Sequence, residues 1–264
     1  MISLPREERK SGIPPLSLRG MHTLRYLRHS KPFLEYSVDR RQETISEIED
    51  PMRIAVLTFD GFNELDSFVA SAILNRVKLP GWKAEITSPT PTVTSMNGVH
   101  IERQKPLSFA READFVLIGS GIKTRDIARD EAVLRELDLD PRRQLIGAQC
   151  SGALLLSALG LLDGVPACTD TVTKPWAVEA GITVLEQPFH AVGNLATAGG
   201  CLASQYLAGW AIMRAAGRWH AEEVLHYVAP VGQKDEYLAR AMSVIGGFEG
   251  PMVPGPSIPA SRAS

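Results

Sequence analysis

The stretch Leu145-Ile146-Gly147-Ala148-Gln149-Cys150-Ser151-Gly152-Ala153-Leu154-Leu155-Leu156 constrains this 264-residue chain more than any other. A short apolar run leads into a cysteine, and an apolar segment rich in small residues leaves it. That is the layout of a nucleophile elbow, in which a strand-to-helix turn lifts one side chain to the top of a sheet. Gly147, Ala148, Gly152 and Ala153 let the two backbones approach closely, as a tight turn requires. At a helix start, free N–H groups and the helix dipole favour thiolate over thiol. Cys150 is therefore expected to titrate below the free-thiol value of about 8.5. The competing reading is a buried free cysteine, one of the residue types found most often inside proteins.

Around this stretch, apolar runs alternate with helical periodicity. Residues 52–59 read as a buried parallel strand, and Asp60-Gly61-Phe62 as the turn that ends it. Residues 63–75 read as a helix with Leu65, Phe68, Val69, Ala72 and Ile73 on its core face. Strands are expected at 83–88, 114–118, 144–148, 165–169, 182–186 and 195–197, and a hairpin about Asn97-Gly98. Further helices are expected at 126–137, from about 202 to 215, from about 221, and at 236–245. This pattern predicts one α/β domain around a mostly parallel sheet with helices on both faces. Its ligand loops belong at the carboxyl ends of the strands. Residues 1–51 carry no lasting apolar periodicity and predict a disordered extension, and 246–264, rich in Gly, Pro and Ser, a disordered tail.

Composition excludes several classes. A net charge of −2 gives no reason to expect a nucleic-acid or anionic-membrane partner. No apolar run reaches the roughly 18 residues that a membrane helix needs, and no signal-peptide pattern opens the chain. The three cysteines, Cys150, Cys168 and Cys201, stand at no metal-ligand spacing, which argues against a zinc site or a disulfide framework. The expectation is a cytoplasmic protein without metal or cofactor that acts on a small-molecule substrate, with Cys168 and Cys201 packed in its core.

Three candidate groups fall at strand ends far apart in sequence, namely Asp66, Gly119-Ser120-Gly121 and Cys150, and their convergence would make one pocket. Asp66 sits in the first helix near its apolar side, where a carboxylate is costly to bury unless paired or protonated. Facing Cys150, it could hydrogen-bond the sulfur and shuttle a proton; facing water, it is an ordinary helix residue. Ser120 and Gly121, in Gly119-Ser120-Gly121, could offer N–H groups to a developing negative charge, alongside the N–H of Ser151. Asp170 falls in a loop able to border the same pocket. His100, His190, His220 and His226 all lie far from Cys150 in sequence and read as surface or satisfied residues.

The segments Phe59-Asp60-Gly61-Phe62-Asn63-Glu64-Leu65-Asp66, 114–121, Ala148-Gln149-Cys150-Ser151-Gly152-Ala153 and Gly193-Asn194-Leu195-Ala196-Thr197-Ala198-Gly199-Gly200 together resemble the ThiJ/PfpI superfamily. The resemblance covers about residues 52–245. It implies the class I glutamine amidotransferase-like fold, a flavodoxin-like three-layer sandwich with a mostly parallel central sheet and a nucleophile elbow. Within the superfamily, Leu65-Asp66 and Cys150-Ser151-Gly152 are similar to the isonitrile hydratase subgroup, which also resembles the N-terminal domain of certain AraC-type regulators. By this resemblance Cys150 is the nucleophile, Asp66 the acid and base, and Ser151 the support of the oxyanion, in a homodimer. The protease branch has His directly after the cysteine. Ser151 stands there in this chain, so peptidase activity is not expected. Cys168-Thr169-Asp170 replaces the Thr-Thr-His of many relatives, Ser120-Gly121 their Gly-Gly, and Ser67-Phe68-Val69-Ala70 the usual Thr-Gly-Pro. Two other readings stay open: a redox- or ligand-sensing module without turnover, and a glyoxalase- or deglycase-like hydrolase.

Overall fold

The computed structural model describes residues 52–250, so the expected extension 1–51 and most of the expected tail lie outside the described residues. Nine strands and eight α-helices are described between these limits. The strands are β1 (Arg53–Leu57), β2 (Lys83–Ser88), β3 (Thr92–Thr94), β4 (His100–Glu102), β5 (Lys105–Pro106), β6 (Phe115–Ile118), β7 (Leu145–Gln149), β8 (Phe189–Val192) and β9 (Leu195–Ala198). The helices are α1 (Glu64–Leu74), α2 (Thr124–Ile127), α3 (Glu131–Leu137), α4 (Gly152–Ala158), α5 (Lys174–Glu179), α6 (Ser204–Ala216), α7 (Arg218–Val228) and α8 (Lys234–Ile245).

Seven strands form one sheet in the order β5-β2-β1-β6-β7-β9-β8, and β3 and β4 form the expected hairpin apart from it. All neighbours in the large sheet run parallel except β8, which is antiparallel to β9. Side chains alternate across a strand, so each central strand feeds two cores. Ile54, Val56, Phe115, Leu117 and Leu145 point into a layer built with α1, α6, α7 and α8, around the fully buried Trp210. Ala55, Leu57, Val116, Ile118, Ile146 and Ala148 face the other layer, with Leu154, Leu155 and Leu156 of α4. The result is a flavodoxin-like three-layer α/β sandwich.

Several elements depart from expectation, each for a local reason. The 126–137 helix is two helices, because the Asp130 carboxylate accepts from the N–H groups of Ala132 and Val133 and starts α3 afresh. The strands expected at 165–169 and 182–186 reduce to one bridged pair, Ala167 with Val184. Pro166, just before that pair, has no N–H to extend the ladder. Helix α1 buries Asp66, Ser67, Ala70, Ile73 and Leu74, while Leu65 stays half exposed. Its buried face is turned about one residue from the purely apolar one, and the turn takes Asp66 inside. The packed region also runs past Ile245, since Phe248 stacks edge-on against Phe189 and His190.

Candidate active site

Register places the site. Leu57 pairs with Ile118, and Ile118 with Ala148, so β1, β6 and β7 end at one level. Gln149 pairs with Ala198, which brings the end of β9 to the same level. Four loops therefore meet above the sheet, as expected for ligand loops in an open parallel sheet.

Cys150 follows β7 directly and adopts φ +48°, a left-handed conformation rare for a residue with a side chain. Three contacts hold it there. Its N–H donates to the Ala198 carbonyl at 2.8 Å, its carbonyl accepts from Thr169 Oγ1 at 2.8 Å, and its Sγ accepts from Gln149 Nε2 at 3.5 Å. Gly152 cannot carry a side chain, because a Cβ there would stand 2.8 Å from the Ile118 carbonyl oxygen. These are the marks of an elbow. Cys150 is nonetheless buried, and burial first, then the Asp66 and Asp170 carboxylates, pushes its thiol well above the ordinary range. The Gln149 amide and the Gly200 backbone N–H oppose that rise without cancelling it. This corrects the expected low titration point: α4 is only seven residues long, and the apolar surroundings outweigh its terminus.

Asp66 is fully buried. Its Oδ2 accepts from the Ser120 hydroxyl, while Oδ1 has no hydrogen-bond partner. Desolvation raises its carboxyl above the usual range, against the Ser120 bond and the nearby thiols. An ionised Asp66 would leave a buried, charged Oδ1 unpaired, and a proton on that oxygen removes the difficulty.

The remaining candidates serve the frame rather than offering free donors. Ser120 is spent on Asp66. The Gly121 N–H points to Ser151 Oγ at 3.3 Å, and Ser151 Oγ in turn reaches Thr124 Oγ1 at 3.0 Å. Gly121 has no room for a side chain, since a Cβ would stand 2.4 Å from the Gly61 carbonyl oxygen. Asp170 Oδ1 accepts from the N–H groups of Val172 and Thr173, both at 2.9 Å, and so holds the turn into α5. Among the described residues no hydrogen bond or ion pair joins His100, His190, His220 or His226 to Cys150 or Asp66.

Cys201 was expected in the core, as Cys168 is, and this requires correction. Cys168 is fully buried, with its N–H on Thr197 Oγ1 at 2.8 Å. Cys201 instead lies at the site. Its Sγ, the Cys150 Sγ and an Asp66 carboxylate oxygen all lie within 4.8 Å of one another. Asn63, whose Oδ1 caps α1, donates from Nδ2 to Cys201 Sγ at 3.3 Å. A signal for it lies in the sequence, because Cys201 stands in the loop that leaves β9, beyond Gly199 and Gly200, at the same end of the sheet as Cys150. Cys201 is half-buried and lines a solvent-open hollow of about 370 Å³ with Pro188, Gly200, Leu202 and Tyr206. Cys150 does not line that hollow.

A parallel α/β sandwich that carries a cysteine on a left-handed strand-to-helix turn, with a buried carboxyl beside it, defines a class of elbow proteins. The DJ-1/PfpI family profile matches residues 52–212, and the chain belongs to that family. A THiJ/PfpI family protein from Pseudomonas syringae is 19% identical, with TM-score 0.61, over 83% of this chain and 99% of that one. A cysteine-to-alanine mutant of a DJ-1 superfamily protein from Salmonella typhimurium is 23% identical, with TM-score 0.57, over 67% and 98%. A protein from Anabaena variabilis containing DJ-1/ThiJ/PfpI-like and ferritin-like domains is 17% identical, with TM-score 0.55, over 62% of this chain. This chain spans about half, 48%, of that two-domain protein's length. At these identities the likeness is one of fold. No curated protein matches the sequence. No described helix is long and apolar enough to cross a membrane.

Proposed function

We propose that the chain is a cysteine-dependent enzyme of the isonitrile hydratase type, converting a small isonitrile to an N-substituted formamide in the cytoplasm. One observation carries the reading: a fully buried Asp66, whose carboxyl burial pushes above its usual range, lies beside a buried Cys150, and among the described residues no histidine bonds to either. The carboxyl is then the group available for proton transfer.

Asp66 delivers a proton to the terminal isonitrile carbon as Cys150 Sγ bonds to it, and the thiol proton replaces the one given up. The adduct is a thioimidate, R–N=CH–S–Cys150. Asp66 passes its proton to the imine nitrogen and, now a carboxylate, takes one from the water that adds to the same carbon, while the Ser151 backbone N–H supports the charge that develops on oxygen. The carbon–sulfur bond breaks, the hydroxyl proton returns to sulfur by way of Asp66, and R–NH–CHO leaves. The sum is isonitrile plus water. Ser120 positions Asp66, Gly121 positions Ser151, and Asp170 shapes the rim without touching the reacting atoms. The burial of Cys150 and Asp66 favours small, uncharged substrates. The homodimer implied by the resemblance belongs to this proposal, and sedimentation showing only monomer at micromolar concentration removes it.

The test is formamide production from cyclohexyl isocyanide. Cys150→Ser abolishes it, and Asp66→Asn lowers it by about 10²–10⁴-fold, the usual cost of a lost acid and base. If the wild-type protein makes no formamide from a panel of isonitriles, while peroxide converts Cys150 to a sulfinic acid, the sensor reading replaces this one.

A further inference from the structure

We propose that Asp66, Cys150 and Cys201 form a binding site for a soft divalent cation of the zinc class. The three ligand residues are far apart in the chain, at no metal-ligand spacing. Here they come from α1, from the turn after β7 and from the turn after β9, and the fold brings their ligand atoms within 4.8 Å of one another. Across a tetrahedral zinc with Zn–S of about 2.3 Å, two sulfurs stand roughly 3.8 Å apart, so the side chains need close by only about 1 Å.

Two further observations point to a ligand. Asp66 Oδ1 is a fully buried acceptor with no hydrogen-bond partner. Each of the three ligand groups also has its own donor behind it. Ser120 Oγ holds Asp66 Oδ2, Gln149 Nε2 holds Cys150 Sγ at 3.5 Å, and Asn63 Nδ2 holds Cys201 Sγ at 3.3 Å. Metal sites are built this way, with outer hydrogen bonds fixing the direction of each ligand. Two sulfurs select against magnesium and calcium, and the carboxylate suits zinc. Three protein ligands leave a fourth position for solvent. Cys201, the one ligand that is not buried, lines the hollow that gives the ion its route in. A bound ion takes up the Cys150 sulfur and blocks it as a nucleophile. The proposal stands whether or not Cys150 turns over an isonitrile.

Cobalt(II) is the probe, added to the reduced full-length protein. We expect one ion per chain, with a thiolate-to-cobalt charge-transfer band that zinc(II) abolishes by displacement. Cys201→Ser and Cys150→Ser each lose part of the band's intensity, and Cys168→Ala keeps all of it. Asn63→Ser retains an oxygen to cap α1 but removes the N–H donor, and it weakens binding by about 10–100-fold. Saturating zinc slows alkylation of Cys150 and Cys201 and leaves Cys168 unchanged. Absence of the charge-transfer band in the wild-type protein overturns the proposal without recourse to any variant. So does an undiminished band in a folded Cys201→Ser protein.

Discussion

The hydroxyl of Ser120 donates to Oδ2 of Asp66, and Oδ1 of that same buried carboxyl is left without a partner. The two oxygens are thereby made unequal. One is fixed in place by a residue of the β6 loop, and the other is available to carry a proton toward sulfur. Ser120→Ala removes a bond that favours the ionised carboxyl, so the Asp66 pKa, already raised by burial, rises further. The expected result is a pH profile of formamide production whose basic limb moves to higher pH. The loss of a buried hydrogen bond also costs about 1–3 kcal/mol of stability. A pH–rate series on wild type and variant, with thermal melts, reads both.

Thiol reactivity should follow exposure. Cys201 is the cysteine with surface exposure, so it labels first with iodoacetamide, ahead of Cys150, with the fully buried Cys168 last. Charge on Asp66 is one cause of the raised Cys150 thiol. At a pH where Asp66 is ionised, Asp66→Asn therefore labels faster at Cys150 than the wild type does. Peptide mapping across neutral to alkaline pH gives the order, and an unchanged or slower rate at Cys150 in the variant refutes the coupling.

Much of this arrangement could be read from the chain. Continuous apolar runs gave β1, β6 and β7, and the small residues about Cys150 gave the elbow, because close backbone approach restricts residue type directly. Asn63 and Asn75 bounded α1 as its caps. The rotation of α1 was not legible. Leu65 and Asp66 are neighbours, and only the packing of Ala70, Ile73 and Leu74 under the sheet decides which of the two goes inside. The environment of Cys150 was not legible because helix position is local information, whereas desolvation depends on the loops that β1, β6 and β9 bring to it from far away in the chain. Cys201 was assigned to the core because its loop was not counted among the strand ends.

Stability should fall in alkali. A thiol whose pKa is raised by folding keeps its proton where the unfolded chain has already released it. Its contribution is full below the unfolded value and is lost as pH rises through the folded one. For Cys168, pushed by burial from 9.0 up to about 11, the loss falls between those two values. Melting temperature should decline over that window, and less steeply in Cys168→Ala. Parallel slopes for the two proteins would refute the assignment to this thiol.

Gly199 links the frame to Cys150. A Cβ there would stand 2.3 Å from the Thr169 carbonyl oxygen and 2.8 Å from its carbon, and backbone atoms cannot rotate away as a side chain could. Thr169 is also the residue whose Oγ1 donates to the Cys150 carbonyl, at 2.8 Å. Gly199→Ala must therefore push the Thr169 backbone and disturb the bond that helps hold Cys150 at its left-handed φ. Overpacking of this kind costs typically about 1–3 kcal/mol. In a domain of this size each kcal/mol lowers the melting temperature by roughly 2–4 °C. Activity should fall further than stability alone accounts for, because a small misplacement of a reacting atom is costly in rate. Gly247→Ala is the control, since a Cβ there meets nothing within 4 Å and Gly247 lies far from the site in the chain. Melts and formamide rates on the two variants decide the matter. If Gly199→Ala melts and reacts as Gly247→Ala does, Thr169 does not position Cys150.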